Sequence, residues 1–110
     1  MKDDLLKIIS FYGVMTQLKY FQSEVFELVE AVINRELHWN YDTEIQDIKP
    51  LDKHIAEEIS DCFVMLKQFQ YYYGITDEEI INNMQFKIKR QLERIKKGKW
   101  EVYMISGGNW

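Results

Sequence analysis

Cysteine, proline and histidine are scarce in this chain: one Cys, one Pro and two His among 110 residues. A lone cysteine excludes an internal disulfide framework, and Cys62, inside the apolar run from Cys62 to Leu66, reads as a small core residue in a reducing compartment. That run is the longest uninterrupted apolar stretch, far short of the roughly 20 residues a membrane span requires. No secretory pattern accompanies it, so a cytoplasmic protein without membrane partners is expected. Basic charge is also short. A net charge of −4 argues against a nucleic-acid binder, which needs a positive field to displace counterions from phosphate. Glycine-rich phosphate loops, Ser/His/Asp arrangements, internal repeats and low-complexity tracts are absent. His54 has no second His or Cys at ligand spacing and reads as ordinary helix surface.

What the chain does have is helical periodicity and aromatic weight. Asp3 and Asp4 ahead of Leu5, Leu6, Ile8 and Ile9, with Gly13 behind, mark a short opening helix. From Val14 to about Leu37, apolar residues Leu18, Phe21, Val25, Leu28, Val32 and Ile33 recur at helical spacing without Gly or Pro. Turn signals at Asn40-Tyr41-Asp42 and Lys49-Pro50 predict a main loop over 34–53. Its His38, Trp39 and Tyr41 either pin the loop to the body or stack on a flat ligand. A third helix is expected from about Leu51 to Tyr73, stopped by Gly74, and a fourth after the Thr76-Asp77-Glu78-Glu79 capping box, ending at Gly98. The tail 99–110, with Trp100, Val102, Tyr103, Met104 and Ile105, is too apolar for free disorder. The expectation is one all-α domain over 1–110, a four-helix bundle-like core at about 3–97 plus that tail. Six Phe, seven Tyr and three Trp exceed what so small a core can cover, so an oligomer is expected.

Two acidic pairs interrupt the apolar helices: Glu24-Val25-Phe26-Glu27 and Glu58-Ile59-Ser60-Asp61. Residues three apart share a helix face, so each pair sets two carboxylates side by side, at the edge of a packed interface where uncompensated charge is costly. Oxygen-only donors suit a hard cation, Mg²⁺ or Mn²⁺. On the fourth helix Lys87, Arg90, Gln91 and Arg94 form one basic, amide-bearing strip. Acidic groups for a cation together with a basic row for phosphate are what a polyphosphate substrate needs.

These motifs resemble the all-α nucleoside triphosphate pyrophosphohydrolases of the MazG-like type, marked by Glu-Glu-x-x-Glu on one helix and Glu-x-x-Asp on the next. The resemblance spans roughly Ile8 to Lys97. It is carried by Tyr12-Gly13, Gln17-Leu18-Lys19, Ser23-Glu24-Val25-Phe26-Glu27-Leu28 and Ala56-Glu57-Glu58-Ile59-Ser60-Asp61. It implies a MazG-type fold in which Glu24, Glu27, Glu58 and Asp61 hold Mg²⁺. It further implies hydrolysis of a nucleoside triphosphate, a dNTP or non-standard NTP, to monophosphate and pyrophosphate by metal-activated water. Gln17, Lys87, Arg90, Gln91 and Arg94 would contact the substrate, and a homodimer or homotetramer would place the site near a subunit boundary. Two departures stand out. Ser23 occupies the position of the family's first Glu, which leaves Glu57 or the metal alone to activate water, and the connection from Glu27 to Glu58 is longer than usual. A di-iron site would use Glu-x-x-His pairs, which these are not. The rival reading is a helical interaction module that kept the fold without the activity.

Overall fold

The computed structural model describes residues 1–41 and 48–98. They form α1 (Lys2–Tyr12), α2 (Val14–Tyr41), α3 (Lys49–Tyr72) and α4 (Asp77–Lys96), with no strand among the described residues. The chain is therefore all-α. It divides into two compact units, Met1–Gly74 and Ile75–Trp110.

Boundaries follow local chemistry. Gly13 sits at φ 91°, a region that residues with a Cβ rarely adopt, and turns α1 directly into α2. Pro50 lies in the first turn of α3, where its missing N–H costs nothing. Gly74, at φ 68°, follows α3 in the left-handed region. The loop expected over 34–53 is mostly helix instead: α2 continues to Tyr41 and α3 begins at Lys49. Nothing between Asn34 and Tyr41 is Gly or Pro, so an Asn-Tyr-Asp sequence alone does not stop a helix already propagating. Residues 42–47 and the apolar tail 99–110 lie outside the described residues.

In the first unit α2 and α3 run antiparallel. Gln17 near the start of α2 meets Gln68 near the end of α3, and Arg35 near the end of α2 meets Asp52 at the start of α3. Between them the Phe21 and Phe69 rings pack at 5.8 Å. The strip of α2 turned to this seam is Gln17, Phe21, Glu24, Leu28, Ala31 and Arg35; that of α3 is Leu51, Ile55, Glu58, Cys62, Met65 and Gln68. Each recurs at steps of three and four. Against the seam α1 buries Leu5 and Ile9, the latter completely, and Lys2 Nζ lies 5.6 Å over the Tyr71 ring.

The seam is more polar than a helical core usually is. Among the described residues, Gln17, Glu58, Gln68 and Gln70 are buried alongside five apolar side chains, Leu5, Ile9, Ala31, Cys62 and Met65. Gln17 Nε2 donates to Gln68 Oε1 at 2.8 Å, and Gln68 Nε2 donates to Met65 Sδ at 3.6 Å, while Gln17 Oε1 is buried without a hydrogen-bond partner.

The second unit contains α4. Thr76 caps it, its Oγ1 accepting from the Glu79 N–H at 3.1 Å, as the Thr-x-x-Glu spacing predicts. Arg94 and Lys96 in the last turn complement the helix dipole.

Candidate metal centre

Residues one position before and one position after each seam residue lie on opposite flanks of a helix. On α2 the preceding residues Glu27, Glu30 and Asn34 make a polar flank, while the following residues Leu18, Val25, Val29 and Val32 make an apolar one. On α3 the same offset separates His54, Glu57 and Asp61 from Ile59, Phe63 and Leu66. In an antiparallel pair the preceding flanks face the same side. Along its middle, one side of the α2–α3 layer is therefore acidic and the other apolar, although Gln22, Glu36 and Asp52 fall on the second side and Tyr20 and Val64 on the first.

Glu24 and Glu58 occupy the seam itself, and Glu27 stands beside them on the polar flank. One oxygen from each of Glu24, Glu27 and Glu58 lies within 4.8 Å of the others. Glu58 is buried at 8% exposure, Glu24 is half-buried and Glu27 is exposed. Burial, and then the Glu27, Asp61 and Glu58 charges, push the Glu24 carboxyl above its ordinary range. The Glu58 carboxyl is pushed up the same way, by burial first and Glu27 next, against a smaller opposing pull from His54. When protonated, each donates a hydrogen bond to Glu27. Both shifts favour the neutral carboxyl over the carboxylate.

Asp61 contributes no oxygen to this close set. It is exposed on the same flank, near enough for its charge to raise both Glu24 and Glu58. Cys62 lies buried beneath the carboxylates. Burial first, then the four surrounding carboxylates, push its thiol upward, so it stays a protonated core residue rather than a thiolate ligand.

The residues fit a hard divalent cation. The donors are all carboxylate oxygens, and Glu24 Oε2 and Glu58 Oε2 are buried without a hydrogen-bond partner. Ligand oxygens at about 2.1 Å from Mg²⁺ stand no more than about 4.2 Å apart. A set already within 4.8 Å needs little more than a side-chain adjustment to close on an ion. Beside it opens a cleft of about 550 Å³ lined by Glu27, Glu30, Ala31, Asn34, His54 and Glu58.

Of the other residues named from the sequence, some lie in the first unit and some in the second. Gln17 is a buried seam residue bonded to Gln68. Lys87, Arg90, Gln91 and Arg94 share a face of α4 in the second unit, where the Arg90 guanidinium lies 5.5 Å from the Phe86 ring centroid. Glu57 is exposed on α3, with His54 Nδ1 3.9 Å from its Oε2. His54 had read as plain surface, yet its Nε2 lies 3.6 Å from Glu58 Oε1. The signal was its place four residues before Glu58. Asn34 and Glu30 were missed as well, although they continue the Glu27 face at steps of three and four.

The chain matches no protein-family model, and comparisons with curated proteins and with solved structures find no match.

Proposed function

We propose that this protein is a Mg²⁺-dependent nucleoside triphosphate pyrophosphohydrolase with a MazG-type fold, converting a dNTP or non-standard NTP to a monophosphate and pyrophosphate. The observation that carries the reading is the convergence of Glu24, Glu27 and Glu58 on two antiparallel helices, with buried oxygens on Glu24 and Glu58 that no side chain answers. An acidic cluster on a solvated surface would show neither the burial nor the upward pKa shifts.

Glu24, Glu27 and Glu58 would hold the cation, and Asp61 would complete its surroundings from the same flank of α3. A divalent cation bound there supplies positive charge against the phosphates and makes nearby water more acidic. The protein then has three tasks: to present its carboxylates without rearrangement, to keep the reacting phosphorus beside them, and to take up the proton that attacking water releases. Helix backbones accomplish the first, since both carboxylate-bearing turns are interior to long helices. For the last, Ser23 is exposed and carries no base, whereas Glu57 offers a carboxylate on the flank shared with Asp61. Water adds to the α-phosphorus, the bond to the bridging oxygen breaks, and pyrophosphate leaves. No protein nucleophile is needed.

The test is to incubate the full chain with Mg²⁺ and a panel of ordinary and damaged ribo- and deoxyribonucleoside triphosphates. Monophosphate plus pyrophosphate, abolished by chelator, is the expected result. Diphosphate plus orthophosphate would assign a different hydrolase, and no turnover of any substrate would leave the non-catalytic helical module.

A further inference from the structure

The second unit carries an apolar face of its own. None of the 20 residues of α4 is buried, although a helix of this length draws most of its stability from packing one apolar side. Ile81, Met84, Ile88, Leu92 and Ile95 follow one another at steps of three and four along about 21 Å of that side, and each is more than half exposed. The spacing of this stripe is the same read in either direction. Ile88 lies midway between Ile81 and Ile95, and midway between Met84 and Leu92. Two such helices laid antiparallel about Ile88 would set Ile81 of one against Ile95 of the other, Met84 against Leu92, and Ile88 against its own copy.

The charges beside the stripe have the same mirror property. Glu78, Gln85, Lys89 and Lys96 border it on one flank, all exposed; Glu78 and Lys96 are equidistant from Lys87 along the chain, and so are Gln85 and Lys89. In an antiparallel pair each flank meets the same flank of the other helix. Glu78 therefore comes opposite Lys96 at both ends, and Lys89 opposite Gln85. Charge along the axis agrees: the first turn holds Asp77, Glu78 and Glu79, the last turn Arg94 and Lys96, and antiparallel macrodipoles attract. A parallel pair would set one flank against the opposite one and bring Lys89 and Lys96 up to Lys87 and Arg94, like charge against like.

We infer that α4 is a self-pairing surface: two copies of this chain join antiparallel through Ile81, Met84, Ile88, Leu92 and Ile95, with Glu78 to Lys96 ion pairs at both ends. The pairing is independent of the chemistry proposed for the carboxylates. Five side chains from each helix make a contact at the small end of protein interfaces, weak when it stands alone, so the experiment is one that traps it. Single cysteines are placed on α4 of the full chain and oxidised mildly at micromolar concentration, with the wild type, whose Cys62 is buried, as control. The positions used are exposed, so the substitutions open no cavity. Ile88→Cys should give a covalent dimer. Ile81→Cys and Ile95→Cys should each stay largely monomeric alone and bridge when mixed, one of them carrying an affinity tag so that the mixed dimer is identified. Both bridges should exceed by about tenfold the yield from Glu93→Cys on the opposite face, because only facing residues come within disulfide reach at a high effective concentration. Ile81→Cys and Ile95→Cys each bridging alone as readily as Ile88→Cys would mark a parallel pair and overturn the inference. Equal yields at all positions, Glu93→Cys included, or no bridge at any of them, would overturn it as well.

Discussion

On the function proposed above, a cation would compete with protons for the same oxygens at Glu24 and Glu58. Both carboxyls are raised in the folded protein, so the native state binds more protons than the unfolded chain between the ordinary carboxylate value of 4.5 and the raised folded values. Stability must fall with rising pH across that window, because ionisation then confronts burial and the charges of Glu27 and Asp61. Thermal melts of the metal-free protein should accordingly show a Tm that declines as pH rises from about 4.5 towards neutrality. Glu58→Gln should flatten the decline and raise the metal-free Tm at neutral pH. An unchanged pH profile in that variant would show that Glu58 carries no such penalty. Mg²⁺ should reverse the effect, adding about 2.7 kcal/mol at a hundred times its Kd. On the proposed activity, Glu27→Gln should nearly abolish turnover while leaving the far-ultraviolet circular dichroism intact, since it removes charge from an exposed carboxylate without opening a cavity. Full activity in Glu27→Gln would place the reaction elsewhere.

Among the elements, the α2–α3 seam carries an energetic test of its own. Gln17 Nε2 donates its one buried bond to Gln68 Oε1 while Gln17 Oε1 has no partner, so Gln68→Ala strands the whole Gln17 amide inside the protein. Such a loss costs about 1–3 kcal/mol, whereas replacing both glutamines by Leu keeps volume and removes both polar groups, at little net cost. Urea unfolding of the single and double variants measures this. Equal destabilisation in both would mean that the hydrogen bond is irrelevant to the seam. The helices themselves were legible in the sequence from apolar spacing, from Gly13 and Gly74, and from the Thr76 capping box. The far end of α2 was not, because Asn40-Tyr41-Asp42 carries turn composition without the backbone freedom of Gly or the missing donor of Pro. The carboxylate pairs stood out because charge interrupts an apolar repeat. Which of their oxygens meet was hidden, since that depends on the register of α2 against α3. The Gln17–Gln68 and Arg35–Asp52 bonds fix that register, in which Glu24, Glu27 and Glu58 come close while Asp61 adds no oxygen to the set. His54 and Asn34 escaped notice for the same reason: on a lone helix they are ordinary surface, and the facing helix turns them into walls.

For the whole molecule, the side of the α2–α3 layer opposite the carboxylates decides the assembly. Leu18, Val25, Val29 and Val32 on α2 and Ile59, Phe63 and Leu66 on α3 are all exposed, and the one-residue offset places them on one side of the layer. Apolar residues scattered singly are normal on a surface; seven aligned along two adjacent helices form a patch of the sort that marks an interface. Glu27, Asn34, His54 and Asp61 lie on the other side, so covering this patch leaves the cleft open. We propose that a second copy of the chain covers it, giving an obligate homo-oligomer of at least two subunits with an apolar interface of order 2,000 Å² in total. Light scattering of the wild type at micromolar concentration should then give a dimer or larger. The paired substitution Val29→Asp and Phe63→Asp should drive it towards monomer, because each interface would bury four unpaired carboxylates. Neither residue touches the carboxylate cleft, so a monomeric variant that stays folded should still gain Tm with Mg²⁺, which separates loss of assembly from loss of the site. A folded, active wild-type monomer at micromolar concentration would refute the assembly.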